Sequence, residues 1–194
     1  MSSKRKTRVN LLAMSDIDAE FFARLLKPQA PDTAVIHVPT LADLESVSAR
    51  DDLAMRLISF CSAMIIPPRI IARLSGNCLN FHPGPPERPG YMPAPFALAD
   101  GAHDYGVTFH FMLPVVDTGR IIEVRRFPLE DGMDQEAIER KSYEALLTMV
   151  AERAPLLADI DHIFQPCGEK WSGKATTKAD LQRLKVDPHP PFHP

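Results

Sequence analysis

Through the first eighty residues, short apolar runs alternate with polar, helix-compatible stretches. Arg8–Met14 (RVNLLAM), Thr33–Val38 (TAVIHV), the segment Leu53–Cys61 that ends in LISF, and Asn77–His82 read as strands. Between them, Ile17–Leu26 has helical periodicity behind Ser15 or Asp16 as N-cap, and Leu41–Ala49 reads as a weaker helix or loop. Pro67–Leu74 reads as a short helix with proline in its first turn. This alternation predicts an α/β fold with a doubly wound, mostly parallel sheet. After His82 the pattern is less regular. A Pro/Gly loop covers 83–95, a short helix covers Phe96–Asp100, Tyr105–Met112 and Ile121–Phe127 read as strands, and Asp134–Ala151 is an amphipathic helix. The composition turns polar beyond Pro166, with a short helix at Ala179–Leu184. The expected division is a basic tail over 1–7, a main domain over 8–165, an extension packed on it over 166–186, and a Pro-rich tail over 187–194.

Composition narrows the function classes. A chain of 194 residues with 45% hydrophobic and 24% charged content is long enough for one domain with a sizeable core. Its net charge of −3 gives no general attraction to nucleic acid or anionic membrane. Lys4, Arg5, Lys6 and Arg8 read as a solvated tail. Cys61, Cys78 and Cys167 form no CxxC pair, and this sparse set fits a reducing cytoplasm. No apolar stretch is long enough to span a bilayer and no leader pattern opens the chain, so the expectation is a cytoplasmic protein without a membrane partner.

Several chemistries lack their motifs. The turn after the first strand reads Ala13-Met14-Ser15-Asp16-Ile17-Asp18, which is not GxGxxG, and there is no Walker sequence. The seven histidines show no metal-ligand spacing, so no metal is expected, and no GxSxG marks a serine hydrolase. What remains is Asn80-Phe81-His82-Pro83, followed by Asp117-Thr118-Gly119. Residues two apart on a strand share a face. Pro83 and Gly84 end the strand, so Asn80 and His82 belong at its C-terminal edge, where open α/β sheets bind ligands. An amide, an imidazole and a carboxylate converging there would suit attack on a carbonyl.

These residues carry a resemblance. The stretch LISFCSAMIIPPRIIARLSGNCLNFHPGPPERPG, followed by GVTFHFMLPVVDTGRII, resembles the folate-dependent formyltransferases, from about Leu57 to Phe127 and more weakly to Leu184. That family has a Rossmann-like fold and includes glycinamide-ribonucleotide, methionyl-tRNA and sugar N-formyltransferases and formyltetrahydrofolate hydrolase. The sugar branch is the most similar, in NFHPGPPE, Pro89-Gly90, Phe96-Ala97-Leu98, VDTG-x-II, and Trp171 with Lys174, Thr176 and Lys178. The resemblance implies Asn80, His82 and Asp117 as the catalytic residues, N10-formyltetrahydrofolate as co-substrate, and a small-molecule amine as acceptor. It also implies folate contacts from the backbone at Leu113, Pro114, Val115 and Val116 and an apolar wall of Met64, Ile65 and Ile66. Ile65 and Ile66 read equally well as plain core. His110 belongs on the neighbouring strand, either as a structural hydrogen bonder or as a site residue. Arg88, Tyr91 and Lys174 are candidate substrate contacts, with exposed polar surface as their alternative reading.

Departures from the pattern sharpen the acceptor. From Arg8 to Asn80 there are about 70 residues, roughly a quarter to a third fewer than the resemblance suggests. The glycine-rich phosphate loop of the glycinamide-ribonucleotide enzymes is missing, there is no room for the second domain of the tRNA enzymes, and the chain is not basic. The resemblance to the sugar branch implies an amino sugar carried on a nucleotide as the acceptor and, by analogy, a homodimer. A formyltetrahydrofolate hydrolase and a catalytically idle folate-binding protein are the alternatives. Pro93 and Pro95 are expected to stiffen the loop after Gly90 and to remove two backbone donors from it.

Overall fold

The computed structural model describes residues 6–186. Lys4, Arg5 and the Pro-rich tail at 187–194 lie outside the described residues. Six strands form one sheet in the order β2-β1-β3-β4-β5-β6. They are β1 (Thr7–Ala13), β2 (Thr33–His37), β3 (Leu53–Phe60), β4 (Cys78–His82), β5 (Asp104–Phe111) and β6 (Ile121–Pro128). The helices are α1 (Asp16–Leu26), α2 (Leu41–Ser48), α3 (Pro68–Arg73), α4 (Pro93–Ala99), α5 (Gln135–Ala158) and α6 (Lys178–Val186). The first four strands pair in parallel, and β5 pairs antiparallel with both β4 and β6. Only β5 therefore runs against the others, and the α/β, mostly parallel sheet expected from the alternation is present.

Strand alternation assigns the two faces. Leu12, Ile58, Phe60, Leu79 and Phe81 face α1 and α5, joining Phe22, Leu146, Met149 and Val150 in one core. Leu11, Leu57 and Cys78 face the other way, onto Leu44, Ile70 and Ile71 of α2 and α3. Asn80 and His82 share the parity of Cys78. They thus stand on the α2–α3 side, at the end of β4.

Local chemistry explains the helix boundaries. Ser15 Oγ accepts from Asp18 N, and Thr40 with Asp43 forms a reciprocal capping box that makes α2 a helix rather than a loop. α4 starts at Pro93, not at Phe96, with Met92 as its N-cap in the left-handed region at φ 52°. Pro93 and Pro95 accordingly lie in a helical first turn, where backbone N–H groups have no intrahelical partner anyway, rather than in a stiffened loop. α5 continues past Ala151 to Ala158 although Pro155 lies inside it. The carbonyl that Pro155 leaves without a donor belongs to Ala151, and both residues are exposed, so that solvent is at hand for it. Arg8 is not in a solvated tail: it lies in β1 and its guanidinium bonds Asp159 at 2.6 Å and also Asp161.

A buried cation fixes the end of α5. Arg56, on the α5 face of β3, is 1% exposed. It donates to the carbonyls of Leu156, Leu157, Asp159, Ile160 and His162, and to Asn77 Oδ1. Burial pushes its pKa down to about 10, which leaves it charged at neutral pH. The carbonyls at a helix C-terminus carry partial negative charge, so a guanidinium there satisfies orphan acceptors and the dipole together. Beyond α5, the chain crosses back over the sheet edge: Cys167 N donates to Ile121 O and Ser172 N to Pro86 O.

Candidate active site

The site is assembled by pairing β4 with β5 and by the turn that carries Asp117. Register sets Asn80 opposite His110 and His82 opposite Thr108. Asn80 Nδ2 donates to His110 Nε2 at 3.0 Å, and His110 Nδ1 lies 2.8 Å from the Phe111 carbonyl. The Nδ1 proton faces a carbonyl, so Nε2 accepts from the amide. One N–H of Asn80 is thereby fixed and the second is left for the cavity. His82 Nε2 lies 2.9 Å from Arg88 O, and must carry its proton to donate there. A Cβ on Gly84 would come within 2.6 Å of that nitrogen, so Nε2 is closed in and Nδ1 is the ring atom left for chemistry.

Asp117 joins the two imidazoles. Its Oδ2 lies 3.4 Å from His82 Nδ1 and accepts from Gly90 N at 2.7 Å, while its Oδ1 lies 3.3 Å from His110 Nε2. His82, His110 and Asp117 are all buried. The 3.4 Å separation is longer than an ordinary charge-assisted hydrogen bond. Burial raises the Asp117 pKa, but the His82 charge and the Gly90 N–H help outweigh it and hold the carboxyl down at about 2. Burial pushes the His82 imidazolium down, against the pull of Asp117 upward. The turn needs Gly119, because a Cβ there would meet the Phe111 carbonyl at 1.6 Å.

The depressed Asp117 carboxyl makes folding sensitive to acid. A carboxyl whose folded pKa lies below its unfolded value adds stability above the unfolded value, about 3.8, and loses it as pH falls through about 2. Asp117→Asn removes this titration. Urea melts should therefore show a shallower loss of stability between about pH 4 and pH 2 in the variant than in the wild type. Equal slopes would mean that Asp117 is not held down in the folded protein.

These groups line a cavity of about 920 Å³. Met64, Ile65, Ile66, Met112, Leu113, Pro114 and Val116 give it an apolar wall, and Asn80, His82, His110 and Asp117 a polar one. That size and polarity fit a fused-ring ligand with a few polar anchors. Cys61, Met92 and Asp117, three non-glycine residues with φ between 46° and 52°, all line it. Such backbone strain costs ~1–3 kcal/mol per residue and tends to collect at functional sites. Of the residues singled out from sequence, Asn80, His82, Asp117, His110, Met64, Ile65, Ile66, Leu113, Pro114, Val116 and Tyr91 are brought together here. Ile66 is buried and Ile65 is 65% exposed, so the pair is split between core and cavity rim. Val115, Arg88 and Lys174 are outside the lining. The Arg88 guanidinium instead bonds Asp100 at 2.6 Å, and it is the backbone carbonyl of Arg88 that reaches the site. Sequence reading missed the Gly90 N–H, Cys61, Tyr143 and the Trp171 ring, which lies 4.9 Å from the His110 ring and 5.7 Å from that of His82. Only Trp171 had a signal, its place in the W…K…T…K stretch.

Among the described residues no helix is long and apolar enough to cross a membrane. Solved structures with the same architecture include a sugar N-formyltransferase from Shewanella (TM-score 0.71, 15% identity, 92% of this chain and 80% of that one). Another is PseJ from Anoxybacillus kamchatkensis, in complex with UDP-4,6-dideoxy-4-formamido-L-AltNAc and tetrahydrofolate (TM-score 0.69, 20% identity, 92% and 90%). At these identities the likeness is one of fold. By sequence, the chain is 33% identical over 97 residues to a phosphoribosylglycinamide formyltransferase of Mycobacterium tuberculosis, covering 50% of this chain and 42% of that protein. It is 29% identical over 125 residues to a methionyl-tRNA formyltransferase of Treponema pallidum, covering 63% and 39%. The matched region thus spans about two fifths of these curated relatives. Residues 42–151, which contain α2 to β6 and most of α5, match the family described as formyl transferase, and the chain belongs to that family.

Proposed function

We propose that the protein moves a formyl group from N10-formyltetrahydrofolate to a primary amine, with a nucleotide-linked amino sugar as acceptor. The observation that carries this reading is the convergence of the Asn80 amide, His82 Nδ1 and the Asp117 carboxylate on one wall of the apolar cavity. The folate supplies an activated formyl carbon. As the amine adds to it, negative charge gathers on the formyl oxygen. The free N–H of Asn80 stabilises that charge. With Nε2 tied to Arg88 O, unprotonated Nδ1 is the atom that takes the proton from the amine; the imidazolium so formed supports the formyl oxygen and then gives the proton to the departing nitrogen. Asp117, ionised at neutral pH, favours the imidazolium during this exchange and holds the ring in place.

The acceptor class rests on two supports. Solved relatives of the same fold hold nucleotide-linked sugars, including one from Helicobacter canadensis with folinic acid and dTDP-3-aminofucose. The first turn of α1 carries Asp16 and Asp18, and Ser15 caps it, so a phosphate at that helix start is opposed by two carboxylates. A ribonucleotide phosphate bound at α1 is correspondingly disfavoured.

The test is release of tetrahydrofolate from N10-formyltetrahydrofolate by the purified protein, with and without a pool of nucleotide-linked amino sugars. Release that requires the pool is the expected result, and fractionating the pool then identifies the acceptor. Release without any amine would replace transfer with hydrolysis. Binding of folate without release in either case would favour an idle binding protein.

A further inference from the structure

The loop between β4 and α4 supplies two backbone groups to the site, the Arg88 carbonyl for His82 and the Gly90 N–H for Asp117. Neither belongs to a strand or helix, so something else must hold them. The chain returning after α5 does so. Thr176 brackets Gly90: its N donates to Pro89 O at 3.0 Å, its carbonyl accepts from Tyr91 N at 2.9 Å, and its Oγ1 donates to Tyr91 O at 2.8 Å. A Cβ on Gly90 would meet the Thr176 backbone at 2.4 Å, and one on Gly173 would meet Glu87 O at 1.8 Å, so both glycines are needed for this close approach. Arg126 adds a bidentate pair to Glu87 and a bond to Glu169, joining loop and returning chain through β6. The Nε1–H of Trp171 donates to Gly119 O at 2.8 Å, two residues from Asp117, and its ring lies against both imidazoles.

We propose that residues 171–176 form a positioning strap for the reacting groups: Trp171 screens His82 and His110 from water and holds the Asp117 turn, and Thr176 fixes the Gly90 N–H that holds the carboxylate. The inference rests on the formyl-transfer reading for its kinetic consequence, but not for its structural one. Trp171 and Thr176 are positioning residues, because they act through His82 and Asp117. Their location in a polar extension makes the extension part of the active site.

The charged and titratable groups facing His82 are Asp117, which the Gly90 N–H holds, and His110, which the Trp171 ring packs against. Admitting water relieves the burial of His82. In Trp171→Leu the His82 imidazole midpoint, followed by NMR and assigned with His82→Gln, should therefore move upward. In the same variant kcat should fall by about 10–100-fold with the folate KM unchanged, since small misplacements of reacting groups act on the chemical step. Trp171→Phe keeps the aromatic wall but not the bond to Gly119 O, and should keep the midpoint close to wild type. Thr176→Val preserves shape and backbone bonds but removes the hydroxyl, so the Gly90 amide should exchange with solvent faster while the melting temperature stays the same. If Trp171→Leu does not fold, Thr176→Val and Trp171→Phe still decide the matter. An unmoved His82 midpoint in Trp171→Leu, or unchanged Gly90 exchange in Thr176→Val, would overturn the proposal. The NMR readouts need no substrate, so a wild type without turnover would refute formyl transfer and leave the strap to be judged on its own evidence.

Discussion

Asp117→Asn is expected to lower formyl-transfer turnover by about 10³-fold, within the range usual for loss of acid–base assistance, while folate still binds. The substitution keeps the size of the side chain. Asn also tolerates the left-handed backbone that Asp117 adopts at φ 48°, so the turn and its Gly119 packing survive. The amide can still accept from Gly90 N. What is lost is the negative charge 3.4 Å from His82 Nδ1 and 3.3 Å from His110 Nε2. Without it, the main upward pull on the His82 imidazolium is gone, and the imidazolium formed when Nδ1 takes the amine proton is less stable. The pH–rate profile should therefore shift its acidic limb downward as well as lose height. Adding His82→Gln to Asp117→Asn should cost little more than the worse single variant, because groups acting as one unit are not additive. Calorimetric titration with folate gives the binding control. If Asp117→Asn kept wild-type turnover, the carboxylate would be a structural turn residue and the proposed proton exchange would fail.

The sequence made the near half of this arrangement legible and concealed the far half, for a physical reason. Asn80 and His82 are two apart on a strand that Pro83 and Gly84 stop, so their common face follows from a period of two. Asp117 followed from its D-T-G turn and from family resemblance. His110 was placed on the neighbouring strand, but its pairing with Asn80 did not follow, because that depends on the register of β5 against β4, set by packing across 30 residues of chain. Register between strands that are distant in sequence leaves no local mark. Arg88 shows the same limit in another form. Its charge drew attention, yet its side chain is engaged by Asp100 and its contribution is a carbonyl, which no residue identity reveals. The packed extension was expected, but the hold of 171–176 on the Gly90 loop was hidden likewise, since most of it is backbone to backbone. Helix ends were missed where solvent did the work: α5 runs through Pro155 because the affected carbonyl is exposed, and α4 begins at Pro93 because a first turn needs no proline N–H.

Arg56 was the largest structural omission, and it carries the largest stability effect expected in this protein. In sequence it is one cation inside an apolar strand. In the folded chain it is fully buried against the end of α5, with five carbonyls and the Asn77 amide oxygen around it. The carbonyls belong to the last turn of α5 and the segment that follows, which no other side chain satisfies to this extent among the described residues. Phe164 stacks beside the guanidinium at 5.5 Å, and Asn10 Nδ2 donates to the neighbouring Ala158 carbonyl. Arg56→Met fills most of the volume but supplies no donors. The buried acceptors lose their partners, and the unfolding free energy should fall by about 3–5 kcal/mol, the range for breaking a buried charged contact. Arg56→Lys should recover only part of this, because one ammonium has three donors and no planar fork to span two turns of carbonyls. Urea melts at neutral pH provide the measurement. Arg56 faces α5, on the opposite side of the sheet from Asn80 and His82. At a temperature where Arg56→Met remains folded, its turnover should therefore match the wild type. A variant as stable as the wild type would mean that water replaces the guanidinium at these carbonyls. A folded variant without turnover would instead tie the α5 clamp to the chemistry across the sheet.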